Sequence, residues 1–349
     1  MEPDPLESPT RGAAAPQSSS SSLIFLGTGC SGALPDTWCL LKPSTPPCDV
    51  CSMGVSLPPE RNPNYRNPIL NLVKVYFPTS NYENRNLVLR QFRDEYPIMV
   101  LGWSYEAPST SAEHLPPRGF SVGLSTTKFL PLIHTALRGF SALQIILTHE
   151  HADAVLGLDE VWVVQPRNGR NDIEQIPIFL TQFTMDSISR RFPYLIEQKP
   201  EDGDEDAQAA KIDWKIIEDD VDKPFVASGL EFMPLPVMHG EGYICLGFLF
   251  GRRSKVAYLS DVSRFLPKTE HVISKSGAGQ LDLLILEANT LHGVSLDAIK
   301  RIRPKGALLI GMGHFFEHQR ENQMLAEWSI REGIPVQLAH DGLRIFIDL

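Results

Sequence analysis

The chain has 349 residues with 32 basic and 42 acidic side chains, a formal charge of −10 at neutral pH and 42% hydrophobic residues, the balance of a globular protein rather than a disordered or fibrous one. That charge argues against a long nucleic acid as partner, and no apolar run approaches the roughly 20 residues that span a bilayer, so no membrane partner is expected. Five cysteines, an odd number, and the absence of a basic start before an apolar block suggest neither a disulfide framework nor a secretory signal, so a cytoplasmic location is expected, with a nuclear one left open.

Residues 1–20 are rich in Pro, Ser and Ala and cannot bury enough apolar surface to order themselves, which predicts a disordered tail ahead of a single domain over 23–349. A strand is expected from Leu23 to Leu26, running into the glycine turn Gly27 to Gly32, where glycine permits close backbone approach. That turn lacks the third glycine of a dinucleotide loop and the lysine of a phosphate loop. Cys48 and Cys51 form a C-x-x-C pair in a proline-rich loop, a spacing that in a reduced chain marks a metal site more often than a redox site. Over 67–140 neither a period of two nor one of 3.6 is sustained; the apolar pieces Ile98 to Leu101 and Phe129 to Leu137 are interrupted by Pro, Asn and Ser, which predicts irregular structure.

From Leu143 the alternation of an α/β protein appears: a strand, a helix from Ala154 to Val164, a strand from Ile176 to Leu180 and a helix near Met185 to Leu195. The acidic run Glu201 to Asp206 holds five carboxylates in six residues and is expected to repel itself into a mobile loop over 200–210. Strands are then predicted at Ile212 to Ile217, Leu230 to Val237, Tyr243 to Phe250, Val256 to Leu259, Leu281 to Leu286 and Ala307 to Ile310, with helices at Ser295 to Ile302 and Glu321 to Arg331. Val336 to Ala339 and Leu343 to Ile347 read as a hairpin turned at Asp341-Gly342. Cys245, inside an apolar run, reads as a small core residue.

The chemistry concentrates where apolar strands end. After LQIILT come His149, His151 and Asp153, at alternate positions that an extended segment points to one side. Imidazole nitrogens and a carboxylate oxygen so gathered are zinc ligands by type and spacing. Three further strands each end in a metal-competent side chain: His239 after FMPLPVM, Asp261 after VAYLS and His314 after ALLIGMG.

This ordered set resembles that of the metallo-β-lactamase superfamily. Within it the chain is similar to the phosphodiesterase branch, which includes tRNA 3′-processing endonucleases and, nearer in pattern, the cyclic phosphodiesterases that accompany carbon–phosphorus lyase. Those share an amino-terminal LGTG turn, a cysteine cluster after it and a histidine just beyond the last active-site ligand. The resemblance covers 23–66 and 141–349 and implies an α/β fold, a single-domain αββα sandwich with metals at one edge between two sheets. It implies that His149, His151 and His239 hold one metal, that Asp261 bridges, and that Asp153 and His314 hold a second. The family's histidine after the aspartate is here Ala154, so one tight zinc and a weaker second ion, zinc or manganese, are expected. The family strand ending in Asp-x-Gly, which supports the histidine loop, has no counterpart legible in 67–140.

The same resemblance places His292 as the general acid, with Asp153 also at the reaction centre. It suggests a structural zinc held by Cys39, Cys48, Cys51 and His318, with Cys30 as an alternative to Cys39. The implied activity is hydrolysis of a small or cyclic phosphodiester by metal-bound hydroxide. A thioester or lactam hydrolase of the same superfamily and a catalytically impaired, metal-binding remnant with an interaction role are the alternatives. The expected partner is a small phosphoester, and a homodimer is compatible with the composition.

Overall fold

In this computed structural model the described residues are 21–30, 34–57, 62–66, 72–76, 97–101, 142–155, 158–163, 165, 173–197, 210–288 and 292–349. The tail over 1–20, the apolar piece Phe129 to Leu137 and the acidic run Glu201 to Asp206 lie outside them. The first sheet contains β1 (Ser21–Gly27), β2 (Leu72–Tyr76), β3 (Pro97–Leu101), β4 (Ala142–Ile146), β5 (Ile176–Thr181), β6 (Ile212–Ile217) and, from the far end of the chain, β15 (Arg344–Ile347). The second contains β7 (Phe225–Ala227), β8 (Leu230–Met238), β9 (Ile244–Phe250), β10 (Val256–Leu259), β11 (Arg264–Phe265), β12 (Leu283–Glu287), β13 (Ala307–Ile310) and β14 (Val336–Leu338).

Each sheet is half antiparallel and half parallel. The first runs β15-β1-β2-β3-β4-β5-β6, parallel from β3 onward, and the second runs β11-β8-β9-β10-β12-β13-β14, parallel from β10 onward, with β7 beside β8. Alternation along the strands shows why the sheets stack. Ile145 and Leu147 face one cluster with Ile176, Ile178 and Leu180, while Ile146 and Phe179 face another. In β9, Leu246, Phe248 and Phe250 face that second cluster, and Cys245 and Leu249 face a third. Strands buried on both faces read as unbroken apolar runs.

The shared middle cluster joins Leu23 and Phe25 of the first sheet to Phe232, Phe248 and Tyr258 of the second, and burying an aromatic or aliphatic side chain of this kind contributes about 1.5–3 kcal/mol. Outside the first sheet pack α4 (Gln182–Arg191) and α5 (Pro193–Glu197), through Ile188 and Leu195. Outside the second pack α6 (Pro267–Ile273), α7 (His292–Ile302) and α8 (His318–Glu332), through Ile273, Ile299 and Leu325. The result is the expected four-layer αββα sandwich. Among the described residues no helix is long and apolar enough to cross a membrane.

Several elements differ from the sequence expectation. The segment over 67–140 contributes two strands, β2 and β3, and β3 lies parallel to β4 with Leu101 opposite Ile146. It therefore stands beside the strand that delivers the histidine loop. The expected hairpin at the carboxyl end does not form: β14 pairs with β13 in the second sheet and β15 with β1 in the first. Alternation was correct in both strands, but Val336 and Leu338 complete one apolar layer and Ile345 and Ile347 another. The helix expected from Ala154 is instead the short α3 (Ala152–Val155) followed by a 3₁₀ turn, Leu158–Val163. The helix expected near Met185 to Leu195 divides at Phe192 and Pro193 into α4 and α5, because a proline removes a helical donor and restrains the residue before it.

Candidate metal centre

Strand ends from both sheets meet at one edge. His149 follows β4, His239 follows β8 and Asp261 follows β10. Leu246 N of β9 donates to Thr148 O at 2.9 Å, which ties the histidine loop to the second sheet. On the other side, His239 N donates to Tyr243 O at 2.9 Å. Asp261 takes a left-handed backbone with φ of 53°, a conformation costly for a residue with a Cβ and common where function dictates side-chain aim. The loop is held in that shape by Val262 N, which donates to Glu287 Oε2 at 2.9 Å, and by Ser263 Oγ, which donates to Met238 O at 2.9 Å.

One donor atom from each of His149, His151 and His239 lies within 4.8 Å of the others. His239 Nε2 is 3.2 Å from His151 Nδ1 and 4.0 Å from Asp261 Oδ1. Nitrogen ligands about 2.0–2.1 Å from a tetrahedral ion are spaced roughly 3.3 Å apart, so the imidazole pair fits a shared ion. His149 Nδ1 sits 2.9 Å from Thr148 Oγ1 and 3.7 Å from Cys245 Sγ, the kind of contact behind a ring that fixes a metal-binding histidine. Burial pushes the Asp261 carboxyl above its usual range, opposed by His239, a hydrogen bond to Ser260 and His151. A cation at this position would reverse that balance.

Of the expected second set, His314 does not join this group. Asp153 lies in α3, and its side chain is outside what the structure describes. Ala154 is buried in the apolar cluster of the first sheet and offers no donor. His314 is elsewhere, and His292 opens α7 with its side chain likewise outside the described set.

A second group assembles from α1 (Thr37–Leu41), α2 (Asp49–Ser56) and the loop after β13. Cys39, Cys48, Cys51 and His314 bring one donor atom each within 4.8 Å of one another. Cys39 Sγ lies 3.1 Å and Cys51 Sγ 3.7 Å from His314 Nδ1, and Cys48 Sγ lies 3.8 Å from His314 O. Asp36 caps α1 by accepting from Cys39 N at 2.8 Å, and its own N–H donates to Cys51 Sγ at 3.4 Å. Burial and then the neighbouring thiols push Cys51 up to about 12, with a backbone donor opposing, and burial raises Cys39. Such thiols ionise when a soft cation arrives and release their protons.

The imidazole among these thiols is thus His314, not His318, and the third thiol is Cys39 rather than Cys30. The reason is where α8 begins. Glu317 caps that helix by accepting from Gln319 N and Arg320 N, so His314 stays in the loop facing α1 and α2 while His318 enters the interior. There His318 N donates to Asn64 Oδ1 at 2.8 Å, and its Nδ1 is buried with no hydrogen-bond partner among the described residues. Burial, then Arg66 and His340, lower the His318 pKa from 6.5 to about 4. The unfolded chain therefore binds more protons between those two values, and stability falls as pH drops through that window and is flat above it. The loss approaches about 3 kcal/mol. Urea unfolding at stepped pH is expected to show this slope in the parent and a shallower one in His318→Gln; equal slopes would remove His318 as its source.

Sequence reading missed Arg66 and Asn64. Arg66, fully buried, donates to Gly313 O at 3.2 Å and Phe316 O at 2.8 Å, bracketing His314, and Asn64 Nδ2 donates to Glu317 Oε1 at 2.7 Å. Burial lowers the Arg66 pKa to about 10, so it remains a cation at neutral pH. Their only signal was an asparagine- and proline-rich stretch without periodicity.

The beta-lactamase superfamily domain pattern matches residues 124–322, more than half of the chain, and the protein belongs to that family. Over 94% of this chain and 98% of the other, the fold is similar to a diphosphatase from the PhnP family, with a TM-score of 0.61 and 22% identity. Zinc-bound PqqB from Methylobacterium extorquens follows it over 94% of this chain and all of the other, with a TM-score of 0.55 and 13% identity. An octanoyltransferase of Porphyromonas gingivalis is 25% identical over 208 residues, 58% of this chain but 38% of the relative, so the chain spans well under half of that protein's length.

Proposed function

We propose that the protein is a zinc-dependent phosphodiesterase acting on a small or cyclic phosphoester in the cytoplasm. The observation that carries this is the convergence of three imidazoles at one sheet edge, one donor atom of each within 4.8 Å of the others, with Asp261 Oδ1 4.0 Å from His239 Nε2. Similarity along 94% of the chain to a PhnP-family diphosphatase supports a phosphoester over a thioester or lactam. His149, His151 and His239 would hold the ion, with Asp261 beside them. When bound, zinc supplies an acidified water at neutral pH and polarises the oxygen of the group attacked.

The chain's own residues do the rest. Thr148 and Cys245 fix the His149 ring from behind, and the Glu287 carboxylate holds the Asp261 loop. In this proposal His292, at the start of α7, gives its proton to the leaving alkoxide. General acid catalysis of this kind is worth roughly 10² to 10⁴ in rate, so His292→Ala is expected to slow an alkyl phosphodiester by that range and bis-p-nitrophenyl phosphate far less, with metal content kept. Equal slowing of the two esters would remove the acid role.

A second reading, a metal-binding protein without turnover, is favoured by two observations: Ala154 offers no ligand and His314 stands with the thiols. Turnover of bis-p-nitrophenyl phosphate by the metal-loaded parent, together with elemental analysis, decides between them. Full metal with no turnover of any aryl, alkyl or cyclic phosphodiester overturns the phosphodiesterase and leaves the second reading.

A further inference from the structure

Tyr243 was not singled out by sequence, yet its ring touches every imidazole of the centre. It stacks on His151 with centroids 4.6 Å apart and planes 15° from parallel, and stands 5.7 Å from His239 and 6.2 Å from His149 at steep angles. The ring is held through its hydroxyl. Its hydroxyl donates to Glu150 Oε2, Glu150 is buried, and the Glu150 main-chain oxygen accepts from Arg191 Nη1 at 2.7 Å. The hydroxyl bond engages one oxygen of the carboxylate beside the centre, and the face that Tyr243 turns to the imidazoles is aromatic.

Phe183 extends this surface outward. It lies in the first turn of α4, whose start is fixed by Thr181 accepting from Thr184 N, and its ring stands at 69° to that of Tyr243 with centroids 6.2 Å apart. The face that α4 buries is made by Thr184, Ser187 and Ile188, so Phe183 contributes nothing to the core and is 61% exposed. Single exposed apolar residues are ordinary. This one differs in standing one ring away from a ligand-bearing imidazole.

We propose that Phe183 and Tyr243 form a substrate-binding wall at the mouth of the metal centre, which stacks a planar aromatic or heteroaromatic substituent of the ester and so selects such esters over alkyl ones. This rests on the phosphodiesterase reading above and names the substrate class for it. Aromatic faces attract flat rings through offset or edge contacts as well as burial, whereas a small alkyl group gains only area. The wall carries no ionised group that would repel a phosphate.

The test uses the five-membered cyclic phosphates of phenylethanediol and propanediol, which undergo the same ring opening and differ in one flat ring. The parent, loaded with zinc, is expected to favour the phenyl ester in kcat/KM. Stacking of this kind is worth roughly 5- to 100-fold, and Phe183→Ala and Phe183→Leu are both expected to reduce the phenyl-to-methyl ratio by that range, while Phe183→Trp keeps it. Metal content is measured in each variant. A ratio that is the same in parent and variants, with metal retained, overturns the wall. If the parent opens neither ester, turnover of bis-p-nitrophenyl phosphate decides the phosphodiesterase reading separately, and equilibrium dialysis of the phenyl ester against parent and Phe183→Ala then decides the wall alone. Tighter binding by the parent supports it, and equal binding overturns it.

Discussion

His314→Ala is expected to release one metal ion per chain and to lower the thermal midpoint by roughly 6 °C, the effect of losing an ion that saturates a folded site about a thousandfold above its dissociation constant. The same replacement at His318 is expected to leave the ion in place. The size of the effect follows from what the ion would join. Cys39 and His314 are 275 positions apart, and a bond between them removes the freedom of a very long loop. Thiolate sites contribute their binding free energy directly to folding. Elemental analysis after exchange into metal-free buffer, with calorimetry alongside, gives both readings. Retention of the ion by His314→Ala would show that the three thiols hold it with another partner. Loss of it from His318→Ala, with His314 intact, would restore the arrangement expected from sequence.

The choice between those two histidines shows where sequence reasoning stopped. Both follow β13, four and eight residues beyond its end, and both are chemically able. Which one meets the thiols depends on the residue that starts α8, and this is set by the Glu317 cap and by Asn64, more than 250 positions away. No local pattern reports a contact of that kind. His149, His151, His239 and Asp261 were legible for the opposite reason: each ends an apolar strand, and strand ends on one sheet edge are neighbours whatever the loops between them do. The αββα layering was legible in the same way, from runs such as ICLGFLF that are apolar on both faces. The hairpin was misread because alternation identifies a strand without naming the sheet that receives it, and a turn at Asp341-Gly342 suits a crossing between sheets as well as a return. Tyr243 and Glu150 left no signal, since their roles come from a hydrogen bond across 93 positions.

His239→Ala is expected to remove the ion of the imidazole group and, with it, turnover of every ester. In the proposed centre His239 would be the ligand that the second sheet contributes beside Asp261, and its Nε2 lies 3.2 Å from His151 Nδ1 and 4.0 Å from Asp261 Oδ1. Without it, two imidazoles on one loop remain, and the Asp261 carboxyl loses the imidazole that most opposes its desolvation. Disturbing even an outer partner of a metal site costs roughly 10- to 100-fold in affinity or activity, and removing a ligand should cost more. Activation of water by a metal spans roughly eight orders of magnitude in hydroxide availability at neutral pH, so a fall of at least about 10³-fold in kcat/KM on bis-p-nitrophenyl phosphate is expected. The thiolate group lies on other elements and should keep its ion, which makes the metal count fall by one ion rather than to zero. Melting should change little by comparison with His314→Ala. Activity within tenfold of the parent, or an unchanged metal count, would mean that the three imidazoles are not the working centre.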